Sequence, residues 1–336
     1  MSYDVTMVLY RPHWELVERT LLGVAAQNLP PRKVWLLLSC AGPNDDAAMQ
    51  KLVEIFPLVI SVVRRADNLG FAGGHNYLAD MAVADGADAL LVLNPDLWLT
   101  PNAMRDLTAS VASVGEDRFA IHGPTVALST RDDSEVRVGI DSEGIYWTPT
   151  RRHFDANQGA VCGAVHTPTR VAGVTGAALY ATAATWSRIR SDTGFFFDPL
   201  FVAYREDAEL GLRLLQLGGE CWVHPVEGFL HARGSTNSVR SSDLQRYLGA
   251  RNRFLIKYRL GAVVHEQMWF AALARDLVVV AAGVLREPES LKGVRDARRL
   301  RRTMRYRGRR VRSEARGRSV RLKHRLRHLD TAGGRA

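Results

Sequence analysis

Cysteine is scarce in this chain of 336 residues. Only Cys40, Cys162 and Cys221 occur, widely spaced and with no CxxC pair. An odd number of scattered cysteines argues against a disulfide framework and against a zinc knuckle. The sequence therefore predicts a protein of the reducing cytoplasm that is stabilised by a packed core.

Three further features are missing. The longest clean apolar run, Leu277 to Leu285, has nine residues, whereas a membrane-spanning helix needs roughly 20. The amino-terminal stretch has no basic segment ahead of its apolar residues, so we interpret it as a first strand and not as a signal peptide. No GxGxxG motif follows that strand, which argues against NAD or FAD as a cofactor.

The positive charge is confined to the carboxy-terminal part. Overall, 45 Lys and Arg against 35 Asp and Glu give a formal net charge of +10. The segment from Arg286 to Ala336 holds 19 basic and 5 acidic residues, so it carries +14 and the first 285 residues carry −4. Because the body is mildly acidic and the tail has a single aromatic residue, no nucleic acid partner is expected.

Short apolar runs alternate with segments of helical length over the first hundred residues. We predict buried strands at Val5 to Leu9, Val34 to Leu38, Val59 to Val63 and Ala89 to Leu93. This βαβ pattern is typical of an α/β fold with a Rossmann-like, mostly parallel central sheet and flanking helices.

The pattern changes in the second part of the chain. Residues 120–170 are predicted to form short β-ribbons and loops. A helix from Glu206 to Leu217 and a short strand from Cys221 to His224 are expected next. Beyond Ser241 the chain is predicted to be helical.

Two candidate sites follow predicted strands, where ligands collect in open α/β sheets. The stretch RADNLGFAGGHN brings three glycines together with Asn68, His75 and Asn76, although a tight strand-to-helix turn would need the same glycines. In LNPDL, Asp96 is placed to ligate a divalent cation on a diphosphate. Aspartate is also a common turn residue, so both interpretations stay open.

Three more candidates lie in the second half. Glu206 and Asp207 open a predicted helix, where the dipole alone favours acidic residues. Their apolar and aromatic surroundings would nevertheless give a carboxylate the partly apolar cleft that a general base needs. Arg213 is predicted to pair with one of the two and leave the other free. His231 precedes a Gly/Ser/Thr loop, Arg233 to Thr236, which favours a metal or phosphate contact over a purely structural histidine.

In this order and spacing, the motifs resemble the family 2 inverting glycosyltransferases of GT-A fold, particularly the bacterial rhamnosyltransferase-like and galactofuranosyltransferase-like members. The resemblance covers residues 5–258. It rests on the first strand ending in Tyr10, on DNLGFAGGHN, on LNPDL at the place of the family's DxD-type motif, and on FDPLFVAYREDAELGLR followed by the histidine of GFLHARGS.

The resemblance implies a role for each matched residue. Asp96 would ligate Mg²⁺ or Mn²⁺ on the nucleotide diphosphate, and His231 would be a metal or diphosphate contact. Asp207 would deprotonate the acceptor hydroxyl, with Glu206 beside it. The nucleotide-sugar pocket would be lined by Tyr10, Ser39, Asn68, Gly70, Phe71, Gly74, Asn76, Asn94 and Arg213.

The chain departs from the family pattern after the second strand. Family members commonly carry an acidic residue with Asn there, and the carboxylate helps to hold the pyrimidine base. This chain has SCAGPND from Ser39 to Asp45 instead, so UDP and dTDP both stay open. Arg11 also stands where Asn is usual.

Two other classes of protein fit part of the sequence. A membrane-surface or nucleic-acid binding protein with a degenerate glycosyltransferase body would explain the basic tail. The amphipathic segment over 263–285, with Arg275 and Asp276 between apolar residues, favours anionic lipid, and packing of that helix on the body is the alternative. A nucleotidyltransferase would carry a Gly-rich basic loop where this chain has YRPHWEL.

The sequence thus predicts a metal-dependent inverting glycosyltransferase, peripherally bound to the inner face of the cell membrane. It would move a sugar, such as rhamnose or another deoxyhexose, from a dTDP- or UDP-sugar to a glycan or polyprenyl-diphosphate-linked acceptor in cell-envelope polysaccharide synthesis. A GT-A catalytic domain is expected over residues 1–240, with a nucleotide-binding half (1–118) and an acceptor-binding half (119–240). Helices over 241–285 and a basic tail over 286–336 would follow.

Overall fold

The computed structural model describes residues 1–129, 137–148, 152–232, 239–260, 269–285 and 287–315. Its strands are β1 (Tyr3–Tyr10), β2 (Lys33–Ser39), β3 (Ile60–Arg65), β4 (Ala89–Leu93), β5 (Leu97–Leu99), β6 (Ala120–Ser129), β7 (Arg137–Ser142), β8 (Ile145–Trp147), β9 (His153–Asp155), β10 (Thr169–Val171), β11 (Ala178–Thr182) and β12 (Glu220–His231). Its α-helices are α1 (Trp14–Ala25), α2 (Pro43–Ile55), α3 (Gly70–Ala84), α4 (Ala103–Val114), α5 (Ala183–Thr193), α6 (Glu206–Gln216), α7 (Val239–Leu260), α8 (Trp269–Leu285) and α9 (Pro288–Ala315), and a 3-10 turn spans Pro199–Phe201.

One central sheet organises the molecule, with its main strands in the order β10-β12-β6-β11-β4-β1-β2-β3. Strands β4, β1, β2 and β3 pair in parallel, as do β6 and β12. Strand β11 is antiparallel to both β4 and β6 and joins the two parallel parts. Strands β8 and β9 form a separate small ribbon.

Helices cover both faces of the sheet. On one face, apolar side chains of α1, α2 and α4 pack on alternate residues of β1, such as Val5 and Met7. On the other face, α3, α5, α6 and the carboxy-terminal helices enclose a second cluster that includes Trp186 and Phe197. Burial on both faces explains why the central strands are continuous apolar runs. The predicted α/β fold with a helical extension is confirmed.

Two predictions about strands need correction. The short strand predicted at Cys221 to His224 is the beginning of β12, which continues to His231. The pairing of β12 with β6 shifts between His224 and Phe229, around Pro225, and this irregularity hides the continuation in the sequence. Strand β6, expected among loops and ribbons, lies inside the central sheet.

The basic segment is not simply a tail. Helix α9 packs along α7, and four apolar side chains at Val294, Ala297, Met304 and Val311 are buried. Arg307 of α9 forms an ion pair with the buried Asp198 of the body. Residues 316–336 of the predicted tail lie outside the described residues. Among the described helices, none is both long and apolar enough to span a bilayer.

Candidate active site

The first part of the site lies where β4 ends. After Leu93 the chain runs through Asn94 and Pro95 to Asp96, and the backbone N–H of Asn94 donates to the carbonyl of Ala177 at 2.9 Å. Strand β5 then pairs with the end of β12, with Leu97 opposite His231. This pairing brings together the two predicted metal ligands, Asp96 and His231, which are far apart in the sequence.

His231 lies between two carboxylates. Its Nε2 is 3.2 Å from Oδ1 of Asp96, and its Nδ1 is 2.8 Å from Oδ2 of the buried Asp141 on β7. Burial alone would lower the pKa of His231, but the hydrogen bonds to Asp141 and Asp96 raise it to about 9. The two carboxylates therefore favour positive charge at this position, carried either by the protonated imidazole or by a metal ion bound to the neutral imidazole.

This donor set fits a divalent cation. A carboxylate and an imidazole are suitable ligands for Mn²⁺, and Asp141 on the second ring nitrogen orients the imidazole as carboxylates commonly do around metal-bound histidines. Within the described residues, no group of three or more His, Cys, Asp or Glu side chains forms a complete metal site. A cation held by Asp96 and His231 would therefore take its other ligands from a bound diphosphate or water.

The second part of the site is the carboxyl pair at the start of α6. Oδ2 of Asp207 accepts a hydrogen bond from the backbone N–H of Gly176 at 3.2 Å, and Oδ1 accepts one from Ala208 at 2.7 Å. Burial, followed by the charge of Asp155, raises the pKa of Asp207 to about 6. Burial and then the charge of Asp207 raise the pKa of Glu206 well above its ordinary value. Such a carboxyl is suited to accept a proton near neutral pH.

The two parts meet at one turn of the backbone. Gly176 donates to Asp207, and the next residue, Ala177, accepts from Asn94. A Cβ added at Gly176 would lie 3.1 Å from Cζ of Phe71 and 3.6 Å from Cβ of Asp207. Because Gly176 has no side chain, the ring of Phe71 and the carboxyl of Asp207 can both pack against this turn.

A strained turn precedes the carboxyl pair. Val202, Tyr204 and Arg205 have positive φ values of 65°, 66° and 72°. The buried Asn252 of α7 holds this turn, because its Nδ2 donates to the carbonyls of Phe201, Ala203 and Tyr204 at 2.7–2.9 Å. Non-glycine residues in this conformation need such external support and are concentrated at functional sites.

Several predicted donor-pocket residues lie along the carboxyl edge of the sheet. Tyr10 and Ser39 are register partners at the ends of β1 and β2, and Tyr10 is 36% exposed. Ser39 Oγ is buried and has no hydrogen-bond partner within the described part of the chain. Asn68 caps the turn into α3 by accepting from the backbone N–H of Gly70 at 2.8 Å.

Three predicted pocket residues face the protein interior instead. A Cβ at Gly74 would lie 2.7 Å from Val8, so this glycine is needed for packing. The amide of Asn76 is saturated by the backbone of Phe197, donating at 2.7 Å and accepting at 3.0 Å. Arg213 is fully buried and pairs with Glu209 at 3.0 Å, so its predicted pairing with Glu206 or Asp207 is wrong. We therefore remove these three residues from the pocket.

Four residues of the site were not identified from the sequence: Asp141, Asp155, Arg205 and Asn252. Asp141 lies on β7 of the central sheet and Asp155 on the small β8–β9 ribbon, and their partners are 90 and 52 residues away. Asn252 sits within a charged helical stretch whose pattern indicates nothing about its contacts. Only Arg205 had a local signal, since it directly precedes the predicted carboxyl pair. The loop Arg233 to Thr236 lies outside the described residues.

Residues 4–166 match the family model described as Glycosyl transferase family 2. The match covers just under half of the chain and includes Asp96, but not Asp207 or His231. The matched residues form the amino-terminal part of the central sheet and its helices, in agreement with this family model. No curated protein matches the chain.

Solved structures that share the fold include two glycosyltransferase chains with bound nucleotide or nucleotide sugar. Staphylococcus aureus TarS 1–349 in complex with UDP-GlcNAc has a TM-score of 0.54 and 12% identity, covering 98% of this chain and 92% of that one. GalNAc-T7 with UDP, GalNAc and Mn²⁺ has a TM-score of 0.55 and 13% identity, covering 82% of this chain. The chain spans 54% of the GalNAc-T7 chain. At these identities the likeness shows the fold alone.

Proposed function

We propose that the chain is an inverting glycosyltransferase in which Asp207 is the general base. The observation that carries this proposal is the environment of Asp207, a partly buried carboxyl beside the backbone turn of Gly176 and Ala177. Its pKa is raised to about 6, and among the described residues it has no cationic partner within ion-pairing distance. A carboxyl that forms no ion pair among the described residues, and is held in fixed orientation by two backbone N–H groups, is available for proton transfer.

The proposed reaction is a single displacement. An Oδ atom of Asp207 takes the proton of the acceptor hydroxyl while the oxygen of that hydroxyl attacks the anomeric carbon of the donor. The bond from that carbon to the diphosphate breaks at the same time, and the configuration inverts. Gly176 and Ala208 keep the carboxylate in place through their N–H groups.

The nucleotide diphosphate, which is the leaving group, would lie at the other part of the site, beside Asp96 and His231. Asp96 and His231 would hold the divalent cation, Mg²⁺ or Mn²⁺, which when bound neutralises charge on the departing diphosphate. Asp141 fixes the orientation of His231. The nucleotide would lie over the edge formed by Tyr10, Ser39, Asn68, Gly70 and Phe71, with Asn94 beside it. Residues 1–118 would then bind the donor and residues 119–240 the acceptor.

The test of the base is Asp207→Asn. We expect transfer to fall by about 10²–10⁴-fold, the usual contribution of a general base, while donor affinity measured by calorimetry stays unchanged. Asp106→Asn, at an exposed position of helix α4, is a matched control and should keep full activity. Near-normal turnover by Asp207→Asn would refute the assignment.

The proposal also includes the identity of the donor sugar and the class of acceptor. The bacterial resemblance supports a deoxyhexose such as rhamnose, carried by dTDP or UDP, and an acceptor used in cell-envelope polysaccharide synthesis. A panel of UDP, dTDP and GDP sugars, scored by nucleotide release, would identify the donor. Release from GDP-sugars alone would contradict the proposed pyrimidine nucleotide.

We also propose peripheral association with an anionic membrane. Exposed apolar side chains of α8 at Leu273, Leu277, Val278, Val284 and Leu285 are candidates for insertion. Helix α9 exposes a row of arginines at Arg295, Arg298, Arg299, Arg301, Arg302, Arg305, Arg309 and Arg310. An amphipathic helix beside a basic surface supports binding to anionic lipid.

The membrane test changes exposed arginines in the full chain. Changing Arg298, Arg302 and Arg305 to Gln should weaken binding to phosphatidylglycerol vesicles by about 100-fold, at about 1 kcal/mol per residue. The control changes three exposed basic residues of the body, Lys51, Arg64 and Arg105, to Gln. Equal sedimentation of both triple variants with these vesicles would refute a specific role for α9.

A further inference from the structure

Four arginines from separate elements converge beside the proposed base. We define the arginine cluster as Arg152, which precedes β9, Arg205, which precedes α6, Arg253 on α7 and Arg275 on α8. Arg205 is next to Glu206 in the chain, and its Nη1 is 3.4 Å from Nδ1 of His153. The cluster therefore lies on the α7 and α8 side of Asp207.

The guanidinium groups are close enough to repel one another. Burial and then Arg253 lower the pKa of Arg205 to about 10, with further contributions from Arg275 and Arg152. Arg275 also has a lowered pKa, because of burial followed by Arg152 and Arg253. The cluster thus concentrates positive charge in a partly desolvated space, which destabilises the folded protein when no anion is bound.

The neighbouring acidic groups do not balance this charge. Asp276 accepts hydrogen bonds from Arg253 at 2.8 Å and from Lys257. The charge of Asp207 raises the pKa of Arg205 and so offsets part of the repulsion among the arginines. Asp155 adds a third carboxylate, since its charge acts on Asp207. With Lys257, five cationic groups therefore face three carboxylates, while the raised pKa of Glu206 keeps that side chain from adding a full negative charge.

Two members of the cluster have donor groups that are not matched by carboxylates. Arg205 donates Nε to the carbonyl of Gly249 at 3.1 Å and otherwise contacts a neutral histidine. Arg275 Nε is buried without a hydrogen-bond partner among the described residues. Buried donors of this kind are normally satisfied, so these N–H groups are suited to donate to an anion.

We propose that the arginine cluster binds a phosphate or diphosphate group carried by the acceptor substrate. This inference rests on the proposed function and identifies the acceptor as an anionic, phosphate-bearing molecule. The donor diphosphate has its own place at Asp96 and His231, across the turn of Gly176 and Ala177. An anion at the arginine cluster would instead hold the acceptor with its hydroxyl near Asp207.

The position of Arg275 on α8 indicates where the rest of such an acceptor would lie. Arg275 lies on the flank of α8, between its buried residues and an outward surface that exposes Leu273, Leu277 and Val278. A lipid-linked diphosphate would match both features, with its phosphates on the arginines and its hydrocarbon chain along α8. A water-soluble glycan phosphate would use the arginines alone.

The test measures anion binding by calorimetry without turnover. Inorganic pyrophosphate is titrated into the full chain in EDTA, which removes the divalent cation that the donor site would use. We expect Arg152→Gln and Arg275→Gln each to weaken this binding by tenfold or more, and Arg275→Lys to restore part of it. Arg105→Gln, a surface change of equal charge, should have no effect. Unchanged affinity in both cluster variants, with unchanged melting temperatures, would overturn the proposal.

A second titration separates the two sources of the phosphate. Tighter binding of geranyl diphosphate than of pyrophosphate would identify a lipid-linked acceptor, and equal binding would identify a soluble one. Failure to bind either would overturn the proposal. Because these titrations need no catalysis, their failure is distinct from failure of the proposed function, which is measured by sugar-nucleotide consumption in the unaltered chain.

Discussion

Helix α6 begins with three acidic residues that have different environments. Glu209 is fully buried and accepts hydrogen bonds from Arg213 and Arg259. Asp207, two residues earlier, accepts only from backbone N–H groups within the described residues, and Glu206 Oε2 has no partner there. The helix dipole favours negative charge at all three positions. Charge pairing, and not helix position, therefore distinguishes the structural carboxylate from the candidate catalytic ones.

The counter-charges of Glu209 come from both near and far in the sequence. Arg213 is one turn further along α6, whereas Arg259 belongs to α7 and also pairs with the buried Asp198. Arg307 of α9 pairs with the same aspartate. The carboxy-terminal helices thus complete a charge network beneath α6, which fixes the helix that presents Asp207.

The largest expected effect is on stability, from breaking this network. Arg213→Met removes one partner of the buried Glu209, and loss of a partner from a buried pair costs about 3–5 kcal/mol. Because Arg259 remains, we expect a decrease near 3 kcal/mol in the free energy of unfolding, measured by urea denaturation. Asp207→Asn should not decrease it, since that change removes an unfavourable buried charge. A similar loss of stability in both variants would contradict the distinction between the ion-paired Glu209 and Asp207, which forms no ion pair among the described residues.

The next effect concerns the cluster around His231. Asp96→Ala should abolish the Mn²⁺ dependence of donor binding, because it removes the carboxylate ligand assigned to the cation. Asp141→Asn changes only the support of His231 and should weaken Mn²⁺ affinity by about 10–100-fold. Calorimetry with and without Mn²⁺ checks both variants. Unchanged metal-dependent affinity in Asp96→Ala would remove the cation from this part of the site.

The sequence predicts the strands and helices of the amino-terminal half well, because central strands there are apolar runs bounded by turn residues. It also identifies Asp96, Asp207 and His231 as residue types in a suitable order. Our prediction for Arg213 chose between Glu206 and Asp207, seven and six residues earlier, whereas Glu209 is the partner at the i,i+4 spacing that brings side chains together on a helix.

Contacts between distant segments account for what was missed. Asp141 reaches His231 because β7 pairs with β6, which in turn pairs with β12. The buried face of α9 is hidden because its few apolar residues are separated by many arginines. Such partners are selected by tertiary packing, which overrides local patterns.

The smallest and most specific effect is on the pH dependence of transfer. Asp207 acts as a base only when deprotonated, and its pKa is raised to about 6 by burial and then by Asp155. The transfer rate should therefore be constant above this pH and fall by about tenfold per pH unit below it. Asp155→Asn removes the charge that raises the pKa of Asp207, so the midpoint should move to lower pH by less than the total shift, because burial remains. If the midpoint stays fixed in this variant, a group other than Asp207 controls the acid limb, and the unpaired carboxyl of α6 loses its assigned role.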